Sequence, residues 1–116
     1  MSRSSRNSNR ADELRHVSFT LATLHVDDVE VPLMLADLVV VRRDESSQID
    51  WEVVATSLPV IPYPQAVCRL VMSNLVDGRL LSGDALVVRS DEQRHVFRGG
   101  GELNGLRAED GLETEL

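Results

Sequence analysis

Residues 29–41 read VEVPLMLADLVVV, and this run decides the architecture. Val29, Val31, Leu33, Leu35, Val39 and Val41 recur with a period of two, so an extended chain places them on one face, interrupted by Asp37. Met34, Ala36, Leu38 and Val40 fall on the other face. A strand that is apolar on both faces needs cover on both, from its own fold or from a partner. Pro32 has no N–H to give to a ladder, which puts that part of the strand at an edge or a bulge.

Working outward, the same period-two pattern dominates. On the N-terminal side Val17, Phe19 and Leu21 alternate with Ser18 and Thr20, and the apolar set then switches to Ala22, Leu24 and Val26. A change of phase inside one extended run signals a β-bulge, or a strand that passes from one sheet to another. Asp27-Asp28 supplies a two-residue hairpin turn before Val29. On the C-terminal side, residues 42–48 are a polar turn. Ile49, Trp51, Val53 and Ala55 then alternate with Asp50, Glu52 and Thr56, a half-buried strand in which Trp51 is the natural core anchor.

Residues 57–64, SLPVIPYP, hold three of the four prolines and read as an extended connection, with Pro59 and Pro62 at PxxP spacing. Residues 65–76, QAVCRLVMSNLV, stay open between two states. Val67, Leu70, Val71 and Leu75 have helical spacing, whereas the β-branched content and the Asp77-Gly78 turn signal favour a strand. Residues 79–89 form a further strand with Gly83 expected at a bend or bulge, 90–93 a turn, and 94–98 a last strand carrying His95 and Phe97 on one face. The expected fold is all-β, with one short helix if 65–76 is helical. Six to seven antiparallel strands would form a small barrel or sandwich between disordered termini.

A chain of 116 residues is the size of one domain. Residues 1–11 are Ser, Arg and Asn with almost nothing apolar and read as a disordered arm, 107–116 as an acidic flexible tail, and 12–106 as the folded part. The net charge is −7. Because Arg3, Arg6 and Arg10 make the arm basic, the body is more acidic than that sum. An acidic body repels phosphate backbones and argues against a nucleic-acid partner. All 12 basic residues are arginine, so no lysine is present for a Schiff base or a phosphate loop. No stretch has the length or apolarity of a bilayer-spanning helix or a secretory signal, and a cytoplasmic protein is the expectation.

Few residues carry chemistry. His16, His25 and His95 have no metal-ligand spacing, and the single Cys68 excludes an internal disulfide or a paired-cysteine metal site. Gly99-Gly100-Gly101 lacks the strand–helix context of a phosphate loop. No catalytic residue, metal or cofactor is assigned. Asp37 stands out because a carboxylate at an apolar-face position must be paired, hydrogen-bonded or protonated; a β-bulge that turns it outward or an ion pair with an arginine accounts for it more simply than a catalytic or ligand-binding acid inside a barrel. Two functional readings follow. The first is a non-catalytic β module that self-associates, or serves as an accessory subunit of a larger assembly, through Met34, Ala36, Leu38 and Val40. The second is a small barrel, enzyme or carrier, holding an apolar ligand inside, with Asp37, His95 or Tyr63 as its polar contact.

Overall fold

The computed structural model describes residues 14–43 and 48–112; the expected arm at 1–11 and the last four residues of the expected tail lie outside them. The alternating segments form seven strands: β1 (Leu14–Val26), β2 (Val29–Glu30), β3 (Leu33–Arg43), β4 (Ile49–Ser57), β5 (Val67–Asn74), β6 (Leu80–Asp91) and β7 (Arg94–Gly99). All pairings are antiparallel, in the order β2-β1-β3-β4-β7-β6-β5. A further β1–β5 pairing closes six strands into a barrel, with β2 as the extra strand. The region left open between helix and strand is strand β5.

Closure depends on the phase change in β1. Residues 14–20 pair with β3, whereas Leu21 to Val26 pair with β5, and the register slips between Leu21 and Thr23. The slip turns Ala22 outward and lets Phe19, Leu21, Leu24 and Val26 all point into the core. One strand thereby serves two neighbours, which removes the open edges of the sheet. Asp27 and Asp28 adopt φ of 49° and 71°, the left-handed pair that a two-residue hairpin requires. The Asp27 carboxylate accepts the backbone N–H of Arg69 at 2.8 Å and ties this turn to β5.

A second bulge reverses the expected faces of β3. Leu33 pairs with Ser57 and Leu35 with Thr56, so Met34 is an extra residue on its strand. Val31 is buried and Leu33 packs on the core before the bulge, and after it the inward residues are Ala36, Leu38 and Val40, all fully buried. The expected interface strip is thus corrected. Three of its four residues fill the inside of the barrel, and only Met34 is exposed. The outward face of β3 is Leu35, Asp37, Val39 and Val41. Reading the run with one unbroken period missed the flip, because a bulge shifts parity without changing composition.

The barrel interior is occupied by side chains from all six barrel strands, among them Leu38, Val53, Leu70, Met72, Leu81 and Phe97, each 0% exposed. Burying such a side chain contributes about 1.5–3 kcal/mol, so these six alone outweigh any single polar interaction described below. Trp51 is 2% exposed and its indole N–H donates to the carbonyl of Gly101 at 3.0 Å. Gly83 stays in register opposite Leu70 and forms no bulge. Its missing side chain makes room instead, since a Cβ there would lie 2.7 Å from Cζ2 of Trp51. The irregularity in β6 falls between Val87 and Arg89.

Residues 100–112 continue from β7 along the barrel. Asn104 bridges to Ser82, Leu103 and Leu112 are buried, and a single 3-10 turn spans Ala108–Asp110. Arg79 secures this segment. Its guanidinium donates to both carboxylate oxygens of Asp110 at 2.9 and 3.0 Å and to the Gly105 carbonyl at 3.1 Å, and it lies 5.0 Å over the Phe19 ring. The expected flexible tail therefore differs over 107–112, which pack on the barrel; composition hid the anchor because it comes from Arg79, some thirty residues away.

Candidate functional site

The three residues named as polar contacts for an interior ligand do not lie together. His95 and Tyr63 come together at one end, while Asp37 stands on the outer face of β3, where Thr20 Oγ1 donates to it at 3.4 Å. His95 is 0% exposed, and Tyr63 packs edge-on against it at 5.1 Å and against Phe97 at 5.9 Å. Each imidazole nitrogen faces a serine hydroxyl: Ser57 Oγ lies 2.9 Å from Nε2 and Ser90 Oγ 2.8 Å from Nδ1.

The surrounding distances are consistent with one neutral tautomer. The nearest acceptor of the Ser57 hydroxyl is the Pro59 carbonyl at 2.6 Å, so Ser57 donates there and accepts from His95 Nε2–H. In the neutral ring Ser90 then donates to Nδ1, with the Ile61 carbonyl at 3.1 Å as its alternative acceptor, and accepts the Tyr63 backbone N–H at 3.1 Å. Every group in this chain is satisfied with a neutral imidazole. Burial pushes the His95 pKa below its usual value, opposed by the nearby Asp91 charge. The cluster ties the proline-rich connection to the β6–β7 hairpin, and that bracing is the work the arrangement performs. Burial likewise raises the Tyr63 phenol, with the Cys68 charge adding to it. The Cys68 thiol is pushed up to about 11, by burial first and then by Asp27 and Asp84, which keeps it protonated and a poor nucleophile near neutral pH.

The outer face offers more. Strand register sets its side chains in rows across β3, β4, β7 and β6. One row runs Val39, Glu52, Arg98, Leu86, and on β5 Val67. The next runs Asp37, Val54, Val96 and Arg89, and a third Leu35, Thr56, Arg94 and Asp91. A groove of about 360 Å³ opens between Val39, Val41, Asp50, Glu52, Arg98 and Gly99, with Trp51 at its floor. Leu35 and Val39 on β3 are 57% and 37% exposed, and Leu86 and Val67, beyond Glu52 and Arg98 on β6 and β5, are 42% and 74% exposed. Among the described residues neither Glu52 nor Arg98 takes part in an ion pair.

Sequence reasoning missed Glu52, Arg98, Leu86 and Val67 as a group. Glu52 carried a signal, since it alternates with Trp51 and Val53 on the solvent side, but its neighbours are set by register, which no local pattern encodes. Among the described residues no cluster of three or more His, Cys, Asp or Glu side chains is placed to hold a metal ion, and no helix is long and apolar enough to cross a membrane. Comparison with protein-family models, curated proteins and solved structures returned no significant match.

Proposed function

We propose that this barrel is a non-catalytic module that works by docking on another protein surface, in self-association or as a subunit of a larger assembly, through apolar residues exposed on the outside of its strands. The observation that carries the reading is the exposure of Leu35 and Val39 on β3, and of Leu86 and Val67 on β6 and β5, outside a barrel whose interior is filled by its own side chains. Apolar residues that have a filled core behind them and water in front are where association releases most solvent. The chain's net charge of −7 repels phosphate backbones, which favours a protein partner over a nucleic acid.

The test is fractionation of extracts from cells making either the wild-type chain or the Val39→Glu/Leu86→Glu double variant. The wild type is expected above the 12.9 kDa chain mass, and the variant, still folded, at that mass. A wild-type chain that migrates as a monomer in the extract would falsify the reading.

A further inference from the structure

We propose that the barrel carries a docking site for an extended peptide, which residues 102–112 fill in cis and which admits a like segment of another protein in their place. The site is separate from the exposed residues on the strands. β6 pairs with β7 only from Ala85 to Asp91, so Leu80 to Asp84 have no neighbour from that strand. Asn104 takes the place: Ser82 N–H donates to its carbonyl at 3.0 Å, and its own N–H donates to the Ser82 carbonyl at 2.7 Å. This is strand addition, in which main-chain bonds give affinity and side-chain pockets give selectivity.

The barrel is shaped for this backbone. A Cβ on Gly83 would lie 2.7 Å from the Glu102 carbonyl, and one on Gly105, whose φ is 105°, would overlap the Leu80 carbonyl. Arg42 donates to the Leu112 carbonyl at 2.6 Å, as Trp51 and Arg79 donate to those of Gly101 and Gly105. Such bonds tolerate many sequences. Selectivity comes from the pockets of Leu103 and Leu112, 7% and 5% exposed, and from the Arg79 fork on Asp110. The Arg79 side chain is 9% exposed, and a charge so deeply buried is costly without a counter-charge. An empty site is therefore disfavoured, and any occupant must bring a carboxylate. The segment that fits has a leucine, a glycine two residues on, an aspartate five beyond it and a second leucine two further, as Leu103, Gly105, Asp110 and Leu112 are spaced.

The joint to the barrel is free to swing. Gly100 and Gly101 follow β7, neither has a positive φ, and a Cβ at either would meet no atom closer than 3.5 Å. Neither packing nor local conformation requires glycine there, yet glycine loses the most entropy on ordering. A hinge is where that freedom is useful. Among the described residues, the bonds that the segment makes to itself are confined to its 3-10 turn, between Arg107 and Gly111. The barrel holds the rest, so the segment can leave as a unit and be replaced.

The probe is a fluorescein-labelled peptide of residues 101–112, added to the purified full chain and read by anisotropy. Asp110→Ala/Leu112→Glu disables the cis segment and leaves the site unchanged. This variant is expected to bind the peptide at least about tenfold more tightly than wild type, whose tethered segment competes at high effective concentration. A peptide carrying Asp110→Ala should bind the variant at least about tenfold more weakly, since the Arg79 charge is then unpaired. A variant that is folded by circular dichroism and shows no saturable binding up to about millimolar peptide overturns the site. If the variant does not fold, amide exchange of the wild type decides. An opening that exposes Asn104 and Asp110, leaves β3 and β4 protected and becomes more frequent with excess peptide supports the site. Exchange only together with β3 and β4, or unaffected by peptide, overturns it. If the wild type sediments as a dimer that Asp110→Ala/Leu112→Glu converts to monomer, the segment passes between two copies and the other-protein occupant falls.

Discussion

Gly99 lies flat against the indole of Trp51: a Cβ on this glycine would overlap Cε2, Nε1 and Cδ2 of the ring. The pair closes the end of the barrel beneath the outer groove, because the indole can reach Gly101 and hydrogen-bond there only if β7 presents no side chain at 99.

Gly99→Ala is therefore expected to destabilise the fold by about 1–3 kcal/mol, as overpacking does. Trp51→Ala should cost about 3–5 kcal/mol by leaving a cavity. Combining them should recover part of the Gly99→Ala loss, since the methyl then enters space the indole has vacated. Urea midpoints of the four proteins check this, and strict additivity of the two losses would rule the contact out as their cause.

The Arg79–Asp110 pair is buried on both sides, at 9% and 5% side-chain exposure. Removing one partner of such a pair strands the other charge, so Asp110→Asn should destabilise by about 3–5 kcal/mol. Hydrogen bonds from Arg79 hold the Asp110 carboxyl below its usual range. A carboxyl with a depressed folded-state pKa stabilises above its unfolded value, and that contribution is lost as pH falls below about 4. Amide exchange over residues 103–112 should accelerate in the variant at pH 7 and in the wild type only in acid.

His95 has the opposite charge type and the same direction of pH dependence. Burial lowers its folded-state pKa, so the unfolded chain binds a proton first. The neutral ring's contribution is complete above the unfolded pKa near 6.5 and is lost as pH falls below it. Between pH 7.5 and 5.5 the urea midpoint of the wild type should drop, and that of His95→Phe should drop less. An equal drop in both would show that His95 is not the group responsible.

Cys68 tests the burial of β5 without a mutation. With its thiol pushed up to about 11, reaction with a disulfide reagent at pH 8 should be slow in the native protein. It should become rapid once urea unfolds the chain. Native-state reaction as fast as that of a free thiol would show that β5 opens.

The two faces of β3 give the plainest contrast. Leu38→Ala removes a fully buried side chain and should cost about 2–5 kcal/mol. Its neighbour Val39, on the outer face, should lose less than about 0.5 kcal/mol of monomer stability when changed to Ala. Thermal unfolding of dilute protein measures both.

Strand character, the hairpin at Asp27-Asp28, the phase change in β1 and the burial of Trp51 were all legible, because each depends on residues next to one another. The faces of β3 were not. One extra residue at Met34 inverted them, and the cause lies in its pairing with Ser57 and Thr56, outside the run itself. Asp37 reads as a carboxylate on an apolar face until the bulge turns that face to solvent. The anchoring of 107–112 was hidden for a related reason, since Arg79 lies far away in sequence. His95 and Tyr63 pack together, but their contact and the serine partners of His95 come from separate segments of the chain. The Glu52–Arg98 juxtaposition is purely a matter of register.

The division of β1 between two neighbours also bears on how the chain reaches its native state. Residues 14–20 find β3 nearby, but Leu21 to Val26 must wait for β5, which begins at Val67. Joining first and fifth strands closes a large loop and carries its entropy cost before the ladder offsets it. The sheet from β1 to β4 can zip up locally while its far edge remains unpaired. Until β5 arrives, that edge is open to the same segment of another molecule, so refolding yield should fall as protein concentration rises.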